Sequence, residues 1–464
     1  MKRYIWITIV TGILLGIFSS CEDFLNLTPV SQANVEDFYQ TPADINNAVM
    51  AAYKFHKAIY SDRFCCQHIM DEYRSDNTGV DGTYSVDDFT TDTGVEWYMW
   101  SWDLCYRAIY MSNIAMEKAA DVEMDADLQN RYIAEARFLR AITYFELVRN
   151  YGGVPLVLET PKSLEKEDVN VYRNTVDEVY TGIIADLQFA ETNLPVSYPD
   201  DADVGRATKG AAKGYLAKVY LTTGNNSGAE TKLREVLTLG YSLQANYEDA
   251  FGAGNGNNSE IVFELQYKSG TDACPTIYIF TSMQVDVNPG IGYNKGTQDL
   301  YDAFEVGDPR RDYSMALDNE SLYYCTKYSD PAASPVSDAD NNIPLMRYSE
   351  VLLLLAESLG ETTEAYGLIN QVRARVGLAP IDASTPGTFE EKLLQERRVE
   401  LAFENHRWHD LLRFGVAIEV MNDFFDTWKN GRVTIGEDNL LFPIPNFTLL
   451  NNPNLEQNPG YPSV

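Results

Sequence analysis

Residues 347–377 read RYSEVLLLLAESLGETTEAYGLINQVRARVG. Tyr348, Val351, Leu352 and Leu355 fall at i, i+3, i+4 and i+7, the period of one helix face, and Gly360 ends the run. A partner helix is expected from Ala365 to Val376, closed by Gly377. The same design occurs earlier in the chain. Ala212, Tyr215, Leu216 and Val219 make a matching stripe that ends at Gly224, and a second helix runs from Ala229 to Leu239 before Gly240. The turn glycine and the first alanine of the partner helix are five residues apart in both copies. The chain therefore repeats a two-helix unit that must stack on its neighbours to bury its apolar stripes.

This unit resembles that of tetratricopeptide repeats. Segments 128–150 and 172–193 read as a third, divergent pair; Phe138, Ala141, Ile142 and Phe145 form its core stripe, stopped by Gly152-Gly153-Val154-Pro155. Thr41-Pro42, with Asp44 behind it, predicts a helix through Tyr60. Further helices are expected at 102–120 and, unbroken, at 389–415. Residues 61–96 are rich in Asp, Gly, Thr and Tyr without periodicity and read as a long loop region. Residues 241–345 are loop-rich, with one alternating strand at 259–267. The expected fold is predominantly all-α. A tetratricopeptide-like frame (about 40–60, 102–240 and 346–415) carries a loop-rich ligand face built from 61–101 and 241–345, with a few short strands.

The chain has 464 residues, is 45% hydrophobic and carries a formal net charge of −32. Such a composition supports a sizeable core and excludes a disordered chain. An acidic surface repels phosphate backbones and anionic lipid, so nucleic acid is not an expected partner. Near the start, Lys2-Arg3 precedes an uncharged run from Tyr4 to Phe18, followed by Ser19-Ser20-Cys21. The run is 15 residues long, shorter than the ~20 needed to span a bilayer. Residues 1–20 read as a lipoprotein signal peptide, with Cys21 as the acylated first residue of a mature chain at 21–464. Losing Lys2 and Arg3 lowers the net charge by two, to −34. Cys65, Cys66, Cys105, Cys274 and Cys325 are irregularly spaced and read as small buried apolar residues, their disulfide status open.

Few motifs carry chemistry. Arg397, Glu400, Glu404 and Arg407 lie at steps of three, four and three and read as surface ion pairs worth ~0.2–0.5 kcal/mol each. His406 and His409 lack a third zinc ligand in sequence. Asp338, Asp340 and Asn342 begin like a calcium loop, but Ile343 and Ser349 stand where Gly and Glu are required, so no specific motif supports calcium and no cofactor is expected. Phosphate loops, GxSxG and dinucleotide fingerprints are missing from the sequence.

Aromatic residues are more informative. Half of the six tryptophans lie in Trp97-Tyr98-Met99-Trp100-Ser101-Trp102. Trp102, Tyr106 and Ile109 continue at helical spacing and read as core, whereas Trp97 and Tyr98 precede the expected helix. Aromatic faces stack on sugar rings, and neighbouring acids, amides and guanidiniums satisfy hydroxyls. The candidate ligand-binding residues are therefore Trp97, Tyr98, Tyr84, Arg74, Asp71, Asp76, Asn77, Tyr278 and Tyr293.

Cys21-Glu22-Asp23-Phe24-Leu25, Trp102 to Asn113, Glu135 to Ala141, Asp308-Pro309-Arg310-Arg311, Arg347 to Val351, Asn370-Gln371-Val372-Arg373, Glu396 to Arg413, and Gln457 to Tyr461 follow one another over almost the whole mature chain. In these residues the sequence resembles the SusD/RagB family of outer-membrane lipoproteins. The resemblance implies four helix pairs and a non-catalytic role. It implies a lipid-anchored protein on the cell exterior that captures oligosaccharides for a SusC-like TonB-dependent transporter. A peptide-binding member of the same family and a surface glycosidase are the alternatives.

Overall fold

Thr41 accepts a hydrogen bond from the Asp44 amide, and the Asp44 carboxylate answers the Thr41 amide at 2.9 Å, closing a capping box around Pro42. This starts α1 (Pro42–Ser61) in a computed structural model that describes residues 38–62, 66–79, 86–90, 93–161, 171–330, 333–428 and 431–463. Cys21, Tyr84, Cys65 and the signal-peptide segment lie outside the described residues.

The helical frame is four antiparallel pairs. α1 packs on α3 (Glu96–Asp121), and α4 (Ala126–Tyr151) on α5 (Val176–Asn193). α6 (Lys209–Thr222) pairs with α7 (Asn226–Val236), and α11 (Tyr348–Leu359) with α12 (Thr363–Arg375). Neighbouring pairs stack through α3–α4, α5–α6 and α7–α11, so most of the apolar stripes join in one large core, with a smaller cluster around Ile45, Val49, Ala115 and Ala119 between α1 and α3. Gly153 lets α4 turn back: a Cβ there would meet the Asn174 carbonyl oxygen at 2.4 Å.

Three departures from the sequence reading matter. A short helix, α2 (Cys66–Tyr73), interrupts the expected loop at 61–96. The strand β2 (Ile261–Leu265) pairs antiparallel with β6 (Ile343–Arg347) and all five of its residues are buried, because both sheet faces are covered and no alternation is selected. The unbroken helix expected at 389–415 is two helices, α13 (Phe389–Glu400) and α14 (Arg407–Arg413). Phe403 and Asn405 take φ of 65° and 61° in the left-handed region, reversing the chain between them.

That reversal turns the supposed surface stripe inward. Arg397 and Glu400 are 0% exposed, Glu404 is 5% and Arg407 is 8%. Arg347 holds Glu260 at 2.6 Å, Glu400 at 3.0 Å and Glu404 at 2.8 Å, while Arg310 reaches Glu396 at 2.6 Å and Glu400 at 3.1 Å. Burial pushes the Glu400 carboxyl up, but Arg375, Arg347 and Arg310 outweigh it and hold the group well below the carboxylate range. Breaking one such buried pair costs ~3–5 kcal/mol, ten times the value expected for surface pairs. β1 (Thr78–Gly79) pairs antiparallel with β3 (Lys295–Gly296), joining the chain before α3 to the loop-rich stretch after β2.

Candidate functional site

The aromatic stretch at 97–102 lies inside α3, not before it, because Glu96 opens the helix one residue ahead of Trp97. A helix distributes consecutive residues around its axis, so the cluster splits. Trp97 and Tyr98 turn inward, at 9% and 0% exposure. Trp97 meets Tyr73 and Tyr293 edge-on at 5.8 and 6.2 Å, and Tyr98 packs on Phe442 at 5.3 Å. Met99, Trp100, Tyr106 and Tyr110 take the opposite side and line a groove of about 660 Å³.

The far wall of the groove comes from α16 (Asn446–Asn451) and Leu455, and its floor from Pro155 and Val157. Tyr106 donates to the Pro155 carbonyl at 2.9 Å, and its ring leans on Trp102 at 5.1 Å, which sets the floor. Asn452 ties the far wall by donating to the Val171 carbonyl at 2.8 Å. Tyr110 is 48% exposed and Phe447 65%, facing each other across apolar walls. Asp103 and Arg107, paired at 3.0 Å on the rim, and the exposed Asn451 supply polar groups. Aromatic faces with a few convergent polar groups suit a ring with one apolar face and a rim of hydroxyls.

The acids and amides proposed as hydroxyl partners belong to the interior. Asp71, Arg74, Asp76 and Asn77 are at most 2% exposed. Arg407 binds Asp76 through two contacts of 2.7 Å, and Arg398 adds a third at 3.1 Å. Burial alone would raise the Asp76 carboxyl; Arg398 and Arg407 overcome it and bring it down to about 2. Asn77 accepts from Arg398 at 2.8 Å. Arg74 lies between the rings of Phe89 and Phe442 at 4.2 and 4.1 Å and donates to the Asn439 carbonyl. Asp71 accepts from Gln67 at 2.8 Å. Arg74, Asp76 and Asn77 are spent on protein partners and Asp71 is buried, so none of the four faces a ligand on the surface. Proximity to aromatics misled the reading; the surplus of buried arginines 300 residues away in sequence was the missing information.

Tyr278 and Tyr293 are half-buried on the loop face, joined by the Ile291 amide to the Tyr278 carbonyl and the Tyr293 amide to the Ile279 carbonyl, both 2.9 Å. Nearby, Tyr301 and Tyr323 stack at 4.7 Å with Arg311 over Tyr301 at 4.7 Å. A second concavity of about 380 Å³ includes Thr281, Asn288 and Tyr324. His406 faces Lys218 at 3.2 Å, whereas His409 faces Asp71 at 3.5 Å, so the two histidines do not converge. Asp338 and Asp340 accept the Gly270 and Ser269 amides and Lys268 as a loop clamp. Cys105, Cys274 and Cys325 are buried, and no disulfide links them among the described residues. Among the described residues no helix is long and apolar enough to cross a membrane.

A stacked helix-pair frame with an aromatic groove and a loop face defines a binding scaffold. The chain matches the SusD family over residues 309–461, and over residues 23–221 a family described as starch-binding, associating with the outer membrane. Together these matches span most of the chain, and the protein belongs to the SusD/RagB family. It is 28% identical to a SusD-like protein of Formosa agariphila, over 99% of this chain and all of that one. It is 26% identical to the starch-binding protein SusD of Bacteroides thetaiotaomicron, over 71% of this chain and 73% of the relative. A laminarin-binding SusD-like protein superposes with a TM-score of 0.79 at 28% identity, covering 91% of this chain and all of the other.

Proposed function

We propose that this protein is a cell-surface glycan-binding lipoprotein, anchored through Cys21, that captures oligosaccharides and passes them to a SusC-like TonB-dependent transporter in the outer membrane. The observation that carries the binding role is the groove of about 660 Å³ walled by Trp100, Tyr106, Tyr110 and Phe447. Its aromatic faces offer stacking without a deep enclosure, as a carrier that must release its cargo requires. The starch- and laminarin-binding relatives support carbohydrate as the ligand class. Tyr278, Tyr293 and the Tyr301–Tyr323 stack offer a second aromatic surface on the loop face.

Titration of the mature chain with a panel of neutral oligosaccharides, by calorimetry, tests the proposal. Binding that is lost in Trp100→Ala supports it, with no reducing sugar released. Binding of peptides and of no glycan would overturn it, as would hydrolysis of the sugar.

A further inference from the structure

Three distant parts of the chain bring metal-ligating side chains together in the interior. Asp71 on α2, Glu146 on α4 and His409 on α14 present one donor atom each, all within 4.8 Å of one another. We propose that these three residues form a buried site for one divalent transition-metal ion of the zinc class, a structural staple separate from the groove.

The geometry is close to what such an ion needs. His409 Nε2 stands 3.5 Å from Asp71 Oδ1, near the ~3.4 Å edge of a tetrahedron with bonds of ~2.1 Å. His409 is 4% exposed, and beyond the 3.5 Å approach of Nε2 to Asp71 neither ring nitrogen has a hydrogen-bond partner among the described residues. Asn150 donates through Nδ2 to Asp71 Oδ1 at 3.2 Å, while its buried Oδ1 has no hydrogen-bond partner among the described residues. In the proposed site that carbonyl is the fourth donor. Buried polar atoms are otherwise almost always paired.

The carboxylates are braced from behind, as ligating carboxylates are. Gln67 donates to Asp71 Oδ2 at 2.8 Å, Tyr60 to Glu146 Oε1 at 3.1 Å and Arg149 to Glu146 Oε2 at 2.6 Å. With Arg149 included and the imidazole neutral, the cluster carries one net negative charge, so a divalent ion inverts rather than piles up charge. One imidazole with two carboxylates and an amide oxygen suits zinc or manganese; calcium takes six to eight oxygens. Because the site is buried, the ion enters as the chain folds, and its binding energy adds to folding stability.

The test uses the full mature chain expressed with zinc in the medium and desalted. Metal analysis should find about one ion per chain, and cobalt loaded during folding should give the visible absorption of a tetrahedral centre. In His409→Gln, checked for folding by circular dichroism, the ion and the cobalt signal should be lost, and added zinc should no longer raise Tm. Asp71→Asn provides the second variant. A folded wild-type chain holding no metal would overturn the proposal. So would equal metal content in wild type and His409→Gln, the mark of adventitious binding to the acidic surface.

Discussion

Arg407 grips Asp76 by two bonds of 2.7 Å across 331 residues of sequence. The pair ties α14 to the turn after α2, and Arg398 shares the same carboxylate. Asp76→Asn leaves the buried Arg407 guanidinium without its counter-charge and Arg398 with Asp299 alone. Denaturant unfolding should show a loss of about 3–5 kcal/mol. A double-mutant cycle with Arg407→Met should recover part of it, since removing both charges is far cheaper than removing one.

Trp97 and Trp100 are three residues apart and should answer mutation in opposite ways. Trp97→Ala empties a core position and should cost about 3–5 kcal/mol of stability. Trp100→Ala and Tyr110→Ala, on the groove side, should leave Tm within a few degrees of wild type while weakening glycan binding. Differential scanning calorimetry beside ligand titration separates the two outcomes.

Gly153→Ala places a Cβ 2.4 Å from the Asn174 carbonyl oxygen, a backbone atom that cannot swing aside. The strain should lower stability by about 1–3 kcal/mol, read as a fall in the denaturation midpoint. Ligand affinity per folded molecule should hold, because the clash lies at the α4–α5 join.

Glu72 gives the protein an alkaline sensitivity. Burial raises its carboxyl to about 8, with the Asn405 amide the leading opposing influence. A raised carboxyl pKa means that the folded state holds its proton longer than the unfolded one. Glu72's contribution is therefore full below pH ~4.5 and is lost as pH rises toward 8. Glu72→Gln should flatten that decline between pH 5 and 8, measured as denaturation midpoints at several pH values. Asp76 has the opposite sign: its contribution is full above pH ~4 and is lost only as pH falls through about 2.

The repeat frame was legible because its signals are local. Stripes at Tyr348–Leu355 and Ala212–Val219, turn glycines and capping boxes each act within a few residues, and the helices start and stop within a few positions of the expectation. The charged segment 397–413 was misread because helical spacing tells which residues align, not whether the aligned face meets water. Its outcome depended on Arg310, Arg347 and Arg375, which arrive from other helices and strands. The groove was half legible. The aromatic cluster pointed to the helix that lines the groove, but a start six residues earlier than expected put Trp100, Tyr106 and Tyr110 on the groove side and Trp97 and Tyr98 inside. The contribution of Phe447, 347 residues beyond Trp100, had no sequence signal.

The interior ion pairs also sort charge radially. Each pair withdraws one cation and one acid from a pool of 36 Lys and Arg against 68 Asp and Glu, so the outer skin is more lopsided than the composition. At the groove rim Arg107 already faces Asp103. The expected outcome is a filter acting before any contact: sulfated or uronic polymers should be repelled at low ionic strength, while neutral chains should approach without regard to salt.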